Sequence, residues 1–134
     1  MVPEQAERQA GHGPLNKGMI SGTTALVALL GQPVSHSLSP VMQNAALKAM
    51  GLDWSFLALP CSADDLATVL KGLEAVGCRG LNVTIPHKQA VSLLCDELSP
   101  LAQRLGAVNT MIPLPNGGWQ GHNTDVEGFL APLL

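Results

Sequence analysis

Asn82, Thr84 and Lys88 lie close together in Gly80-Leu81-Asn82-Val83-Thr84-Ile85-Pro86-His87-Lys88. The stretch reads as a strand over residues 80–85 that runs into a helix. Side chains alternate across a strand, so Asn82 and Thr84 share one face while Val83 and Ile85 share the other. Pro86 suits the first helical position, having a preset φ and no amide hydrogen to waste. Lys88 then falls in the first helical turn, where an ammonium gains nothing from the helix dipole. The position favours loss of its proton, so two hydrogen-bonding groups at a strand terminus and a lysine at a helix start make a candidate site. The same groups can equally bond neighbouring backbone, with the lysine solvated.

Two further clusters carry similar chemistry. In His36-Ser37-Leu38-Ser39-Pro40 two hydroxyls stand two residues apart at the mouth of a helix. Free amides and the dipole favour an anion there, a small carboxylate or phosphate. The plainer reading has Ser39 as an N-cap and Ser37 as a loop residue. The other cluster joins Ala107-Val108-Asn109-Thr110 to Gly121-His122-Asn123-Thr124-Asp125. There Asn123 or Thr124 can cap a last helix, and Asp125 suits its first turn without any catalysis. His36, His87 and His122 have no HxxxH spacing and no CxxC beside them, so no metal site is expected. Gly117-Gly118 lacks the GxGxxG pattern that opens a helix in dinucleotide-binding loops.

The elements that must position these groups are legible from apolar patterning. Residues 25–30, Ala-Leu-Val-Ala-Leu-Leu, form a continuous apolar run, as in a strand buried on both faces. A loop to Leu38 leads into a helix with Ser39 as N-cap and Pro40 in its first turn. Met42, Ala45, Ala46, Ala49 and Met50 give it an apolar stripe, and Gly51 ends it. Residues 54–59 form a second strand, and a helix starting at Ser62-Ala63-Asp64-Asp65 ends before Gly77. After the Lys88 helix, Ser99-Pro100 opens a short helix over residues 101–105. Residues 107–114 and 119–122 are paired strands around the turn Pro115-Asn116-Gly117-Gly118. A last helix starts at Thr124. Together these predict a three-layer α/β/α fold with a mostly parallel sheet of about six strands, one of them antiparallel. Ligands of such sheets sit beyond the carboxyl ends of the strands, where all three clusters fall.

Composition bounds the function classes. With 134 residues, 46% apolar and 13% charged, the chain suits one folded domain rather than a disordered segment. A net charge of −3 leaves no electrostatic footprint for nucleic acid. No apolar run is long enough to span a membrane. Cys61, Cys78 and Cys95 are an odd set without a disulfide framework, so a reducing, cytoplasmic setting is expected. Residues 1–23 lack hydrophobic periodicity and read as a disordered leader or expression remnant.

Read together, the stretch from Gly31 to Pro40, the stretch from Gly80 to Lys88, Gly106-Ala107-Val108-Asn109-Thr110 and Asn123-Thr124-Asp125 resemble shikimate dehydrogenase, and more narrowly its N-terminal substrate-binding domain. The resemblance runs from about Thr24 to the end. It implies an NADP-dependent oxidoreductase that interconverts 3-dehydroshikimate and shikimate on the route to aromatic amino acids. Ser37 and Ser39 would hold the substrate carboxylate. Asn82, Thr84, Asn109 and Asp125 would bond ring hydroxyls, and Lys88 with Asp125 would form the catalytic pair. Alternatively, Lys88 acts only electrostatically. The family's second domain, which carries the glycine-rich loop for NADP(H), has no counterpart in these residues. Residues 24–134 are therefore expected to be a substrate domain that does not turn over alone, with uncovered apolar surface that favours association, a homodimer included. Two alternatives stay open: a quinate/shikimate dehydrogenase domain, and a non-catalytic shikimate-binding sensor.

Overall fold

The computed structural model describes residues 19–125. Most of the expected leader, and the last helix beyond Asp125, lie outside them. Six strands form one sheet: β1 (Ala25–Gly31), β2 (Trp54–Pro60), β3 (Gly80–Val83), β4 (Glu97–Leu98), β5 (Thr110–Pro113) and β6 (Trp119–His122), in the order β2-β1-β3-β5-β6-β4. The pairs β1–β2, β1–β3 and β4–β6 are parallel, while β5 runs antiparallel to both of its neighbours. The expected architecture, with a single antiparallel strand, is the one observed.

Four α-helices accompany the sheet among the described residues: α1 (Ser39–Ala49), α2 (Leu66–Ala75), α3 (Lys88–Ser92) and α4 (Pro100–Leu105). The apolar run of β1 is split between two cores. Ala28 and Leu30 join Leu81, Val83 and Met111 beneath Leu66, Leu70 and Leu73 of α2, Val91 of α3 and Ala102 of α4. Leu29, with Phe56 and Val34, faces the other way, against Leu47 of α1. Helices on both faces explain why this strand carries no polar residue.

Several boundaries differ from the sequence reading. The strand expected to reach Ile85 ends at Val83, ahead of Pro86, which has no amide to donate to a ladder. Pro86 is therefore not the first helical residue; α3 starts at Lys88, with His87 in the cap position. Leu38, not Ser39, caps α1, and the Ser37 hydroxyl accepts the Ser39 amide at 3.1 Å. The expected stripe on α1 points outward: Met42 and Met50 are exposed, and the helix docks through Leu47 and Asn44. Asn44 receives the Phe56 amide at 2.8 Å and donates to its carbonyl at 2.9 Å, closing part of the edge of β2. The helix expected from Ser62 begins as a 3-10 turn, Ala63–Asp65. Residues 107–109 form a loop before β5, not part of the strand. The two-residue β4 was not foreseen, because so short an element has no period to read.

Candidate functional site

Three segments meet at the carboxyl ends of β1 and β3. At the end of β1 only a glycine fits at position 31, because the Thr84 methyl occupies the place that a Cβ would take. The Gln32 amide donates to the Ile85 carbonyl at 3.2 Å, and the Thr84 amide to the Leu30 carbonyl at 2.9 Å. The loop that leads to Ser37 and Ser39 is thus laced to the loop that leads to Lys88.

His87 anchors the second of these loops from inside. Its imidazole is 1% exposed, and Nε2 lies 2.5 Å from the Cys61 carbonyl at the end of β2. A carbonyl only accepts, so Nε2 carries the proton. The neighbouring Lys88 emerges at the first position of α3 with its side chain about one-third exposed. Its Nζ donates to Asp125 Oδ2 at 2.8 Å. The other carboxylate oxygen, Oδ1, accepts from Asn109 Nδ2 at 2.8 Å. The Lys88 hydrogen bond, helped by Asn109 and by the lysine charge and opposed by partial burial, holds the Asp125 carboxyl below its ordinary range.

Asn109 is buried and fully engaged. Its Oδ1 accepts the Thr124 amide at 3.0 Å and the Thr110 hydroxyl at 3.1 Å, while Nδ2 also donates to Thr124 Oγ1 at 3.0 Å. Asn82, one residue beyond the buried Leu81, reaches back to the Asn109 carbonyl at 3.5 Å and to Thr110 Oγ1 at 3.4 Å. Lys88, Asp125, Asn109 and Asn82 therefore form one connected polar cluster. Thr84 packs its methyl against Gly31 at the end of β1. Ser37 and Ser39 stand apart at the start of α1, bonded to each other through the Ser39 amide.

Two contributors escaped the sequence reading. The sequence offers His87 only as a metal ligand, whereas in the fold its ring ties the turn before α3 to the end of β2. Asn123 was weighed only as a cap, yet its side chain also donates to the Ala107 carbonyl at 3.2 Å. Among the described residues no cluster of histidine, cysteine, aspartate and glutamate could hold a metal ion. Nor is there a dinucleotide cradle among them: Gly117 and Gly118, at φ 99° and 87°, form the β5–β6 hairpin turn and not a strand-to-helix loop. No described helix is long and apolar enough to cross a membrane.

Comparison with known proteins gives a consistent result. Residues 29–111 match the shikimate dehydrogenase substrate binding domain family. Shikimate dehydrogenase (NADP(+)) from Synechococcus sp. (strain JA-2-3B'a(2-13)) is 55% identical over 117 residues, which is 87% of this chain and 41% of that protein. A crystal structure of shikimate 5-dehydrogenase from Listeria monocytogenes in complex with shikimate and NAD superposes with a TM-score of 0.81 at 40% identity, covering 85% of this chain and 39% of that one. The enzyme from Thermus thermophilus in complex with NADP(H) and shikimate gives 0.76 at 43% identity, over 81% and 41% of the two chains. The chain thus spans about two-fifths of the length of the relatives it matches.

Proposed function

Because the chain belongs to the shikimate dehydrogenase substrate-binding domain family, we propose that its polar cluster binds shikimate and 3-dehydroshikimate and moves the proton in their interconversion. The observation that carries this reading is the contact of Lys88 Nζ with Asp125 at 2.8 Å, with Asn109 on the second carboxylate oxygen. Reducing a ketone to an alcohol needs a proton at the oxygen, and the reverse needs a base there. An ammonium and a carboxylate in hydrogen-bond contact serve both directions as a coupled unit. Asp125, held ionised, keeps the resting proton on the lysine side. Asn82, Thr84 and Asn109 orient the ring hydroxyls around the pair. Ser37 and Ser39, at the mouth of α1, receive the ring carboxylate.

In this reading residues 24–134 act as the substrate domain. NADP(H) is held by the remainder that the relatives possess, so these residues do not turn over alone. The free, largely buried thiols suit a reducing cytoplasm. A sensor that only bound shikimate would have no need of a proton-transfer pair, which favours the enzyme.

The test is a chimera in which these residues replace the matching part of the Synechococcus enzyme. Shikimate-dependent NADP+ reduction is expected, and Lys88→Ala should lower kcat by ~10²- to 10⁴-fold with a smaller change in KM. Ser37→Ala should instead act mainly on KM. A folded but inactive chimera, or unchanged kcat in Lys88→Ala, would contradict the assignment.

A further inference from the structure

The backbones of Lys88 and Asp125 are linked through a single peptide unit. The Val108 amide donates to the Lys88 carbonyl at 2.8 Å. The carbonyl of that same peptide, Ala107 C=O, accepts from Asn123 Nδ2 at 3.2 Å. The Asn123 side chain then turns its Oδ1 to the Asp125 amide, at 3.0 Å. Since the peptide is planar and rigid, the chain Lys88 C=O, Ala107–Val108 peptide, Asn123 side chain, Asp125 N–H has few soft joints. Val108 is fully buried and Asn123 is 7% exposed, so the bonds they make to Lys88 and Ala107 are shielded from water.

We infer that Asn123 is a positioning residue that sets the separation and orientation of Lys88 and Asp125. The inference rests on the assignment of those two residues as the proton-transfer pair. Its chemistry is specific. An ordinary helix cap needs only an acceptor, which serine, threonine or aspartate supplies as well as asparagine. Joining the Asp125 amide to the Ala107 carbonyl needs an acceptor and a donor on one short side chain, and among side chains of this length only asparagine offers both. The amide orientation is fixed by its partners, since the Ala107 carbonyl only accepts and the Asp125 amide only donates.

The experiment compares Asn123→Ser with Asn123→Ala. Serine keeps an acceptor for the Asp125 amide but is too short to reach Ala107, whereas alanine loses both bonds. The first readout, on the 134-residue chain, is the titration of the Asp125 carboxyl by carbon NMR, with Lys88→Ala as the reference for a broken pair. Both Asn123 variants should raise the Asp125 titration toward that reference while amide dispersion stays native. The second readout is kcat in the chimera, expected to fall ~10- to 100-fold in both variants with a smaller change in the KM for shikimate. Wild-type titration in Asn123→Ser would overturn the inference, leaving Asn123 a simple cap. Unchanged titration in Asn123→Ala would overturn it outright. The titration reads geometry without turnover. If Lys88→Ala leaves kcat unchanged, the proton-transfer assignment fails, while the titration still judges Asn123.

Discussion

Replacing Gly31 by alanine should loosen the junction that brings the two site loops together. The new Cβ would lie 2.4 Å from Thr84 Cγ2, 3.0 Å from Val34 Cγ1 and 3.2 Å from the Ile85 carbonyl oxygen. Carbon atoms pack at about 3.5–4.0 Å, so the Thr84 contact must open by at least ~1 Å. Thr84 cannot yield freely, because it is β-branched and its amide is held by the Leu30 carbonyl at 2.9 Å. Overpacking of this kind costs ~1–3 kcal/mol. The stiffer unfolded chain returns ~0.4–1 kcal/mol, leaving a net loss centred on ~1.3 kcal/mol. For a domain of this size that lowers Tm by about 4–8 °C. The assay is thermal and urea unfolding of a double-mutant cycle with Thr84→Ser, which removes the offending methyl and keeps the hydroxyl. Gly31→Ala should cost far less once Thr84→Ser is in place, giving a coupling of ~0.5–3 kcal/mol. The Val34 and Ile85 contacts would leave a small residue of the cost. Equal costs in the two backgrounds would refute the packing argument.

Other consequences follow from single groups. His87→Phe keeps the ring but leaves the buried Cys61 carbonyl without its donor, so it should destabilise by ~1–3 kcal/mol; a urea midpoint within error of wild type would show that the contact is idle. Asp125 is held below the ordinary carboxylate range chiefly by Lys88, so its stabilising contribution is present above about pH 4 and disappears as pH falls through the folded-state value. The pair is half-exposed and screened, so Lys88→Ala should cost only a few tenths to ~1 kcal/mol at neutral pH; a stability gap that persists undiminished into acid would contradict this. Burial, reinforced by the Asp96 charge, pushes the Cys95 thiol up to about 11, and burial raises Cys61 and Cys78 as well. All three thiols should react slowly with a thiol reagent in the native state and quickly after denaturation, and rapid native labelling would be the opposite result.

The sheet was legible because it rests on local patterning, whereas the grouping of Asn82, Lys88, Asn109 and Asp125 came from the resemblance to shikimate dehydrogenase and not from local chemistry. The uninterrupted apolar run of β1 announces burial on both faces, and Ser99-Pro100 announces a helix start that the structure repeats, with Ser99 Oγ accepting the Ala102 amide at 3.2 Å. What escaped depends on contacts distant in sequence. The inward face of α1 is chosen by Asn44 bonding to Phe56, which outweighs a weak stripe of alanine and methionine. The start of α3 at Lys88 depends on the turn through Pro86, and a proline alone marks a turn and a helix start equally well. Asn123 shows the same limit: a cap can be read from its neighbours, whereas a bridge to Ala107 appears only once β6 has brought the two segments together.

The most direct test of the central claim is a residue-resolved NMR titration of shikimate into the folded 134-residue chain, repeated with Asp125→Ala. The account predicts saturable shifts centred on Ser37, Asn82, Lys88, Asn109 and Asp125 that vanish in the variant. A folded chain whose resonances there do not respond, or respond identically without Asp125, would contradict it.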